Sequence, residues 1–365
     1  MKTLLVSRAA LGVAVGLACG AAAAQSSVTA FGIVDLFVGV IRNDQTTTQL
    51  GEGGMSSSRL GFRGVEDMGG GLKASFWLEA ALGPDTGRGG ASFGNGTTGA
   101  NNENALLFQR RSTVSLSNPW GELRLGRDYT ATYWNWSVFD PFSQVGIGRS
   151  GNLGLGFAAL NTLAPGGSYG TSVRANNMVG YFLPSGAFGP GLYGQVQVAA
   201  GENAPGNKFY GGRIGYAAGP YNIAAAYGRS DVTASGSVTM DNWNIGGSWD
   251  FGVVKVSGFY GRIELNDASR EADQDNWFIG AAAPLGQWNF KASYAQVKRG
   301  GSLSDQKAHQ IAVGADYSLS KRTALYATYS VIDNADTNFT VLATASALSR
   351  GVDSSGAQLG IRHSF

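Results

Sequence analysis

The chain has 365 residues and a mass of 37.9 kDa; 43% of its residues are hydrophobic and only 14% are charged, against roughly 25% charged in an average soluble domain. With 27 basic and 25 acidic residues the formal net charge is +2, which excludes the basic field a nucleic-acid partner needs. Fifty-six glycines stand beside nine prolines and one cysteine, which excludes a disulfide scaffold and a low-complexity linker and points to glycine placed within regular structure.

Residues 1–24 read as a cleaved secretory signal peptide. Lys2 and Arg8 precede an apolar run from Ala9 to Ala18, and Ala22 to Ala24 supply the small cleavage pattern. The run is shorter than the ~20 residues a spanning helix needs. Cys19 has Gly16, not a large aliphatic residue, three positions before it, unlike a lipoprotein site. Cutting after Ala24 removes Lys2, Arg8 and the single cysteine, so residues 25–365 carry 25 basic and 25 acidic residues and no net charge.

From residue 25 onward no run of 18 apolar residues and no helical period appears; the recurring pattern has period two. Val28, Ala30, Gly32, Val34, Leu36, Val38 and Val40 share a face, with Thr29 and Asp35 opposite. Leu72, Ala74, Phe76, Leu78 and Ala80 alternate with Lys73, Ser75, Trp77 and Glu79. The same holds for Val254 to Tyr260 and for Thr323 to Val331. Sixteen such segments of about ten residues begin near positions 28, 57, 71, 107, 121, 172, 191, 207, 221, 241, 253, 275, 287, 307, 323 and 356, the signature of a membrane barrel. Tight connections (Glu66 to Gly70, Asn118 to Gly121, Ser318 to Lys321) alternate with long ones (Gly83 to Asn104, Asn334 to Ser355), as short turns on one rim and loops on the other require.

A bilayer offers no partner to an open sheet edge, so the sheet must close. In the stretch GAQLGIRHSF, Ala357, Leu359, Ile361, His363 and Phe365 fall on one side. The expectation is that this strand zips to the first, its apolar face meets lipid, and Phe365 sits at the interface where aromatic rings are favoured. The resulting fold class is all-β, a 16-stranded antiparallel transmembrane β-barrel. A barrel of that size is too wide for side chains to fill and leaves an aqueous channel. A soluble β-sandwich or solenoid would also give short alternating strands, but no fixed repeat is present and the outer faces carry too few charges.

SSSRLGFRGVEDMGGGLKASFWLE (56–79), LFQRRSTVSLSNPWGELRLGRDYT (107–130), RANNMVGYFLP (174–184), DYSLSKRTALYATY (316–329) and GIRHSF (360–365) closely resemble the general bacterial porins of Gram-negative outer membranes, of the β-proteobacterial type. The resemblance spans the chain from QSSVTAFGIVD onward. It implies a homotrimer in the outer membrane, set among lipid and lipopolysaccharide, with a third long loop folded inward as a constriction. It also implies that the barrel-assembly machinery reads the final Phe, and that small hydrophilic solutes and ions cross by passive diffusion. No enzyme activity and no cofactor are implied.

Parity places Leu60 and Phe62 on lipid, hence Arg59, Gly61 and Arg63 on the lumen, and the resemblance makes Arg59 a constriction arginine. Alternation with Ser112, Val114 and Leu116 sends Arg111 inward, whereas the resemblance favours Arg110; a bulge between them would reset the register. The segment ATYWNWSVFDPFSQVGIGRSG (131–151) occupies the place of the inward loop, and Asp140 is its only acid. The family often carries a denser acidic cluster there. With Arg149 at the end of the loop and Arg174 on the polar face of its strand, the expectation is a mild anion preference.

Other motifs point elsewhere only on paper. GIGRSG (146–151) matches a dinucleotide fingerprint but follows no parallel strand and opens no helix, so it reads as loop. His309 and His363 are the only histidines, too few for a metal cluster or a triad. Trp120, Tyr181, Tyr317 and Tyr329 read as barrel wall or interfacial girdle. A solute-specific channel is the nearest alternative function. An outer-membrane enzyme lacks a clustered nucleophile, base and acid, and an adhesin or plugged transporter would need far larger loops than the twenty to forty residues here.

Overall fold

The computed structural model describes residues 27–89, 107–154, 170–184, 186–202, 208–233, 236–266, 271–303 and 306–365. The expected leader, residues 1–24, lies outside these, as does much of the connection from Gly83 to Asn104. The strands are β1 (Ser27–Arg42), β2 (Thr46–Glu52), β3 (Arg59–Gly69), β4 (Leu72–Gly83), β5 (Arg88–Gly89), β6 (Arg111–Asn118), β7 (Gly121–Tyr129), β8 (Arg174–Leu183) and β9 (Leu192–Ala199). They continue as β10 (Phe209–Ala218), β11 (Tyr221–Asp231), β12 (Thr239–Asp250), β13 (Lys255–Asn266), β14 (Glu271–Leu285), β15 (Trp288–Gly301), β16 (Lys307–Ser318), β17 (Thr323–Ala335) and β18 (Ser354–Ser364). Between β7 and β8 lies α1 (Ala131–Phe139).

Each strand pairs antiparallel with its neighbour, and β18 returns to β1 over ten positions from Ile33↔Ser364 to Arg42↔Ser355. Phe365 completes the seam: its N–H donates to Gly32 O at 3.0 Å and its carbonyl accepts from Gly32 N at 3.1 Å. The Phe365 ring lies over Gly32, where any Cβ would collide with it. β2 and β3 share one side of β1, β2 against Leu36–Arg42 and β3 against Ser27–Ile33, and β5 is a two-residue piece that folds back antiparallel on the end of β4. The wall is therefore a closed 16-stranded antiparallel barrel. The expected strand starts agree, the widest gaps being 107 against Arg111 and 275 against Glu271; the short pieces β2 and β5 were not expected.

Burial is inverted relative to a soluble sandwich. On β18, Leu359 is 66% exposed while its neighbour Gln358 is 3% exposed. On β10 and β11, Ile214, Ile223 and Tyr227 face outward, while Ala224, Ala226 and Ser230 are buried. Apolar side chains cover the outside because lipid is the solvent there. Outward rings form two bands. Tyr216, Tyr221 and Trp249 adjoin near the tight-turn rim, as do Trp288 and Tyr317. Toward the other rim Tyr210 meets Tyr227, Trp243 meets Tyr260, and Trp277 meets Tyr294, as interfacial belts require.

The helix corrects the sequence reading, which found none. Thr130 enters in extended geometry and Asp140 leaves in it, because the residue before Pro141 is biased away from helical angles. Ala131, Thr132, Asn135, Trp136 and Phe139 form its buried face. Two of those five are polar, which blurs the apolar stripe that marks an amphipathic helix.

Candidate pore constriction

The described part of the connection between Thr130 and Val173 lies along the inner wall of the barrel. Asn135 Nδ2 donates to Asn244 Oδ1 at 2.8 Å and to Ala224 O at 3.1 Å, and Asn244 Nδ2 returns a bond to Thr132 O at 3.1 Å. Trp136 stacks on Phe259 at 5.1 Å, and Phe259 on Phe278 at 5.3 Å. Farther on, Gln310 Nε2 donates to Ile147 O and Gln274 Nε2 to Gly154 O. The wall makes room with inward glycines: a Cβ at Gly246 would strike Phe139, and one at Gly280 would strike Pro141.

Gly146 shows why GIGRSG stands where it does. Its φ is +66°, and a Cβ there would collide with the Gly54 carbonyl and crowd Gln358. Both the left-handed backbone and the close approach demand glycine. The motif is a loop segment docked on the wall.

The loop is held from within by Asp140. This carboxylate is 4% exposed and accepts from Phe142 N (2.8 Å), Gln144 Nε2 (2.7 Å), Ser150 N (3.0 Å) and Ser150 Oγ (2.9 Å). Burial pushes its pKa above the usual range, while hydrogen bonds from Ser150 and Phe142 pull it back. Asp140 faces the interior of the loop and spends its acceptors there.

Across from the docked loop, β3, the start of β6, β7 and β8 turn a dense set of guanidiniums inward, and β4 adds Glu79. Arg59 Nη1 lies 3.3 Å and Arg110 Nε 2.7 Å from the same oxygen of Glu79, Oε1. Arg110 Nη2 also donates to Tyr129 OH at 3.2 Å, which takes a second bond from Arg174 Nη2 at 2.8 Å. Arg174 caps the Tyr129 ring, its Cζ 4.3 Å from the centroid. Tyr133 of α1 stacks on Tyr129 at 5.0 Å. Burial first, then Tyr129, pushes the Tyr133 phenol up to about 12, and Arg174, Arg149 and Arg110 act on it in the opposite sense. Arg110 and Arg174 thus converge on Tyr129, against which the loop residue Tyr133 stacks. Arg149 binds Asn152 Oδ1 at 2.7 Å and makes no ion pair among the described residues.

The remaining sequence candidates lie lower on the same inner wall. Arg111, opposite Glu79 in register, reaches Asp128 Oδ2 at 3.4 Å and covers Trp77 at 4.6 Å. Arg110 and Arg111 both reach the lumen side because β6 starts at Arg111; Arg110 precedes the strand and escapes its alternation. The irregular register lies instead on β7, between Gly126 and Asp128. Arg63 is exposed to the lumen and lies over Phe31 and Trp77, at 5.4 and 5.2 Å.

Glu79, Tyr129 and Tyr133 were not singled out from sequence. Parity does put Glu79 on the inner face with Trp77, but nothing local announces that two arginines from other strands share it. His309 and His363 both face outward, bound to Asp333 and Thr323. Among the described residues no three His, Cys, Asp or Glu side chains are grouped to hold a metal.

The chain has counterparts among known proteins. The family model described as Gram-negative porin matches residues 9–337. Outer membrane porin protein 32 of Delftia acidovorans is 36% identical over the full length of both chains. The solved anion-selective porin from Comamonas acidovorans superposes with a TM-score of 0.81 at 34% identity, covering 93% of this chain and 100% of its own. OmpT of Vibrio cholerae in its trimer form shares the fold alone, with a TM-score of 0.67 at 16% identity over 93% of this chain and 99% of its own. The chain belongs to the Gram-negative porin family and is an outer-membrane channel through which small hydrophilic solutes and ions diffuse passively.

Proposed function

We propose that this porin prefers anions, and that Arg59, Arg110, Arg149 and Arg174 set the preference where the inward loop narrows the lumen. The single observation that carries it is the charge balance: Arg59 and Arg110 share one carboxylate, Glu79, while the loop's only acid, Asp140, is spent inside the loop. Guanidiniums stay charged at any physiological pH, and a low-dielectric wall focuses their field on the water path. The anion-selective relative from Comamonas acidovorans supports the same reading. Arg63 and Arg111 extend the positive wall toward the tight-turn mouth; Asp140 acts as the internal fastening of the loop.

The transport is diffusive, not chemical, and selection works by size and charge. By analogy with the trimer form of OmpT, the barrel assembles as a trimer in outer-membrane lipid and lipopolysaccharide, after signal-peptide removal and insertion by the barrel-assembly machinery. Reversal potentials across a planar bilayer in a salt gradient test the selectivity. The potential takes the sign of anion preference in the native channel and moves toward zero in Arg59→Gln/Arg149→Gln. Cation preference in the native channel, or a double variant as anion-preferring as the native one, refutes the proposal.

A further inference from the structure

Below the arginine cluster, toward the mouth with the tight turns, the inner wall and α1 enclose a recess of ≈ 410 Å³. Trp134, Phe182 and Tyr193 contribute rings to it, and Arg213 and Glu122 the charged groups. That volume lies within the range of small-molecule pockets. We infer that this recess is a binding station for aromatic monocarboxylates, with the carboxylate on Arg213 and the ring against Trp134 and Phe182. The inference rests on reading the lumen as an anion path and adds a solute class to it.

The charges select the ligand's sign. Glu122 is taken up by Arg124 in a two-pronged pair, Nε to Oε1 at 2.9 Å and Nη2 to Oε2 at 2.8 Å, so its charge is already balanced by a cation. Arg213 is bound only by neutral groups: Nε donates to Asn135 Oδ1 at 2.8 Å and Nη2 to Tyr193 OH at 3.0 Å. These bonds hold the guanidinium in place and leave Nη1 without a hydrogen bond among the described residues. A cation fixed by neutral partners, with N–H groups still open on Nη1 and Nη2 in a half-enclosed site, is completed by an anionic ligand. Among the residues that line the recess Arg213 is the one cation, which matches the single negative charge of a monocarboxylate.

The rings select the ligand's body. Trp134 is 42% exposed although its helix buries the neighbouring Asn135 and Trp136, so part of a large apolar ring, flanked by Tyr129 at 5.6 Å, is open to the lumen. Arg124 covers Phe182 at 3.9 Å, and Arg213 covers Tyr193 at 4.8 Å. Both cations thus brace the aromatic lining. Ring stacking on such surfaces favours aromatic over aliphatic solutes.

The test uses the full-length porin in planar bilayers, with chloride as the current carrier and benzoate as the probe. Acetate controls for charge and benzyl alcohol for the ring, and block is normalised to each channel's own open current. Benzoate interrupts the current in a saturable manner at concentrations where acetate and benzyl alcohol do not. Arg213→Gln raises the half-blocking concentration about tenfold, the scale of one charge-assisted hydrogen bond. Trp134→Leu, at a position 42% exposed whose ring neighbour is Tyr129, weakens the block in the same direction and carries the test if Arg213→Gln does not insert. Equal block by acetate and benzoate overturns the inference, and so does benzoate block that Trp134→Leu leaves intact. Either result leaves conductance and anion preference standing, whereas absence of channel steps in the native protein would sink the porin reading itself.

Discussion

Arg110 Nε and Glu79 Oε1 stand 2.7 Å apart, both side chains nearly sealed from solvent, and Arg59 leans on the same oxygen from 3.3 Å. Glu79 is therefore the brake on the positive field of this wall. Glu79→Gln keeps the shape and one acceptor but removes the countercharge. The expected outcome is a stronger anion preference by reversal potential, together with a loss of about 1–3 kcal/mol from the two weakened charge-assisted bonds. A lower thermal midpoint for conversion of the folded band in detergent gels reports that loss.

The Asp140 fastening predicts a different phenotype. Asp140→Ala strands the Ser150 and Phe142 amides and Gln144, all of which donate to its carboxylate. The inward loop then loses its internal clasp while the barrel wall is untouched. Single-channel recordings are expected to show larger and noisier conductance, with the folded-band midpoint nearly unchanged because the wall dominates global stability.

Gly146→Ala imposes two penalties at once, a positive φ and a collision with the Gly54 carbonyl. Strained backbone of this kind costs about 1–3 kcal/mol. The loop is expected to lift off Gln358 and Gly54, so a protease that spares the native channel cuts the variant within residues 140–154. Gly69→Ala also sits at positive φ, at +82°, but meets open space, and leaves the protease pattern unchanged.

Tyr133 gives a pH dependence with a defined sign. Its folded pKa is raised from 10.0 to about 12, burial being the largest cause. A raised acid stays protonated in the folded state, so its contribution to stability is complete below 10.0 and is lost as pH rises through about 12. Ionisation also places a negative charge among Arg110, Arg149 and Arg174. Anion preference is expected to be flat up to pH 10.0 and to fall only toward about 12; Tyr133→Phe removes the portion of that fall due to this phenol.

Sequence by itself determined the wall. Alternation is a local property: once Leu359, Ile361 and Phe365 share a side, Gln358 and Arg362 must take the other, and sixteen such strands in a lipid solvent have no stable arrangement but closure. The inner placement of Arg59, Arg63 and Arg111 followed from the same parity. What tertiary structure alone decided was how side chains from distant strands meet in the lumen. Arg110 and Glu79 are 31 residues apart, and Arg213 and Asn135 are 78 apart; no period within one strand encodes such meetings. The helix α1 was hidden for a related reason. Its buried face includes Thr132 and Asn135, and Asn135 bonds to Asn244 and Arg213 on the inner wall. A polar residue becomes buried only when a partner on another element satisfies its hydrogen bonds, and those partners are assembled by closing the barrel.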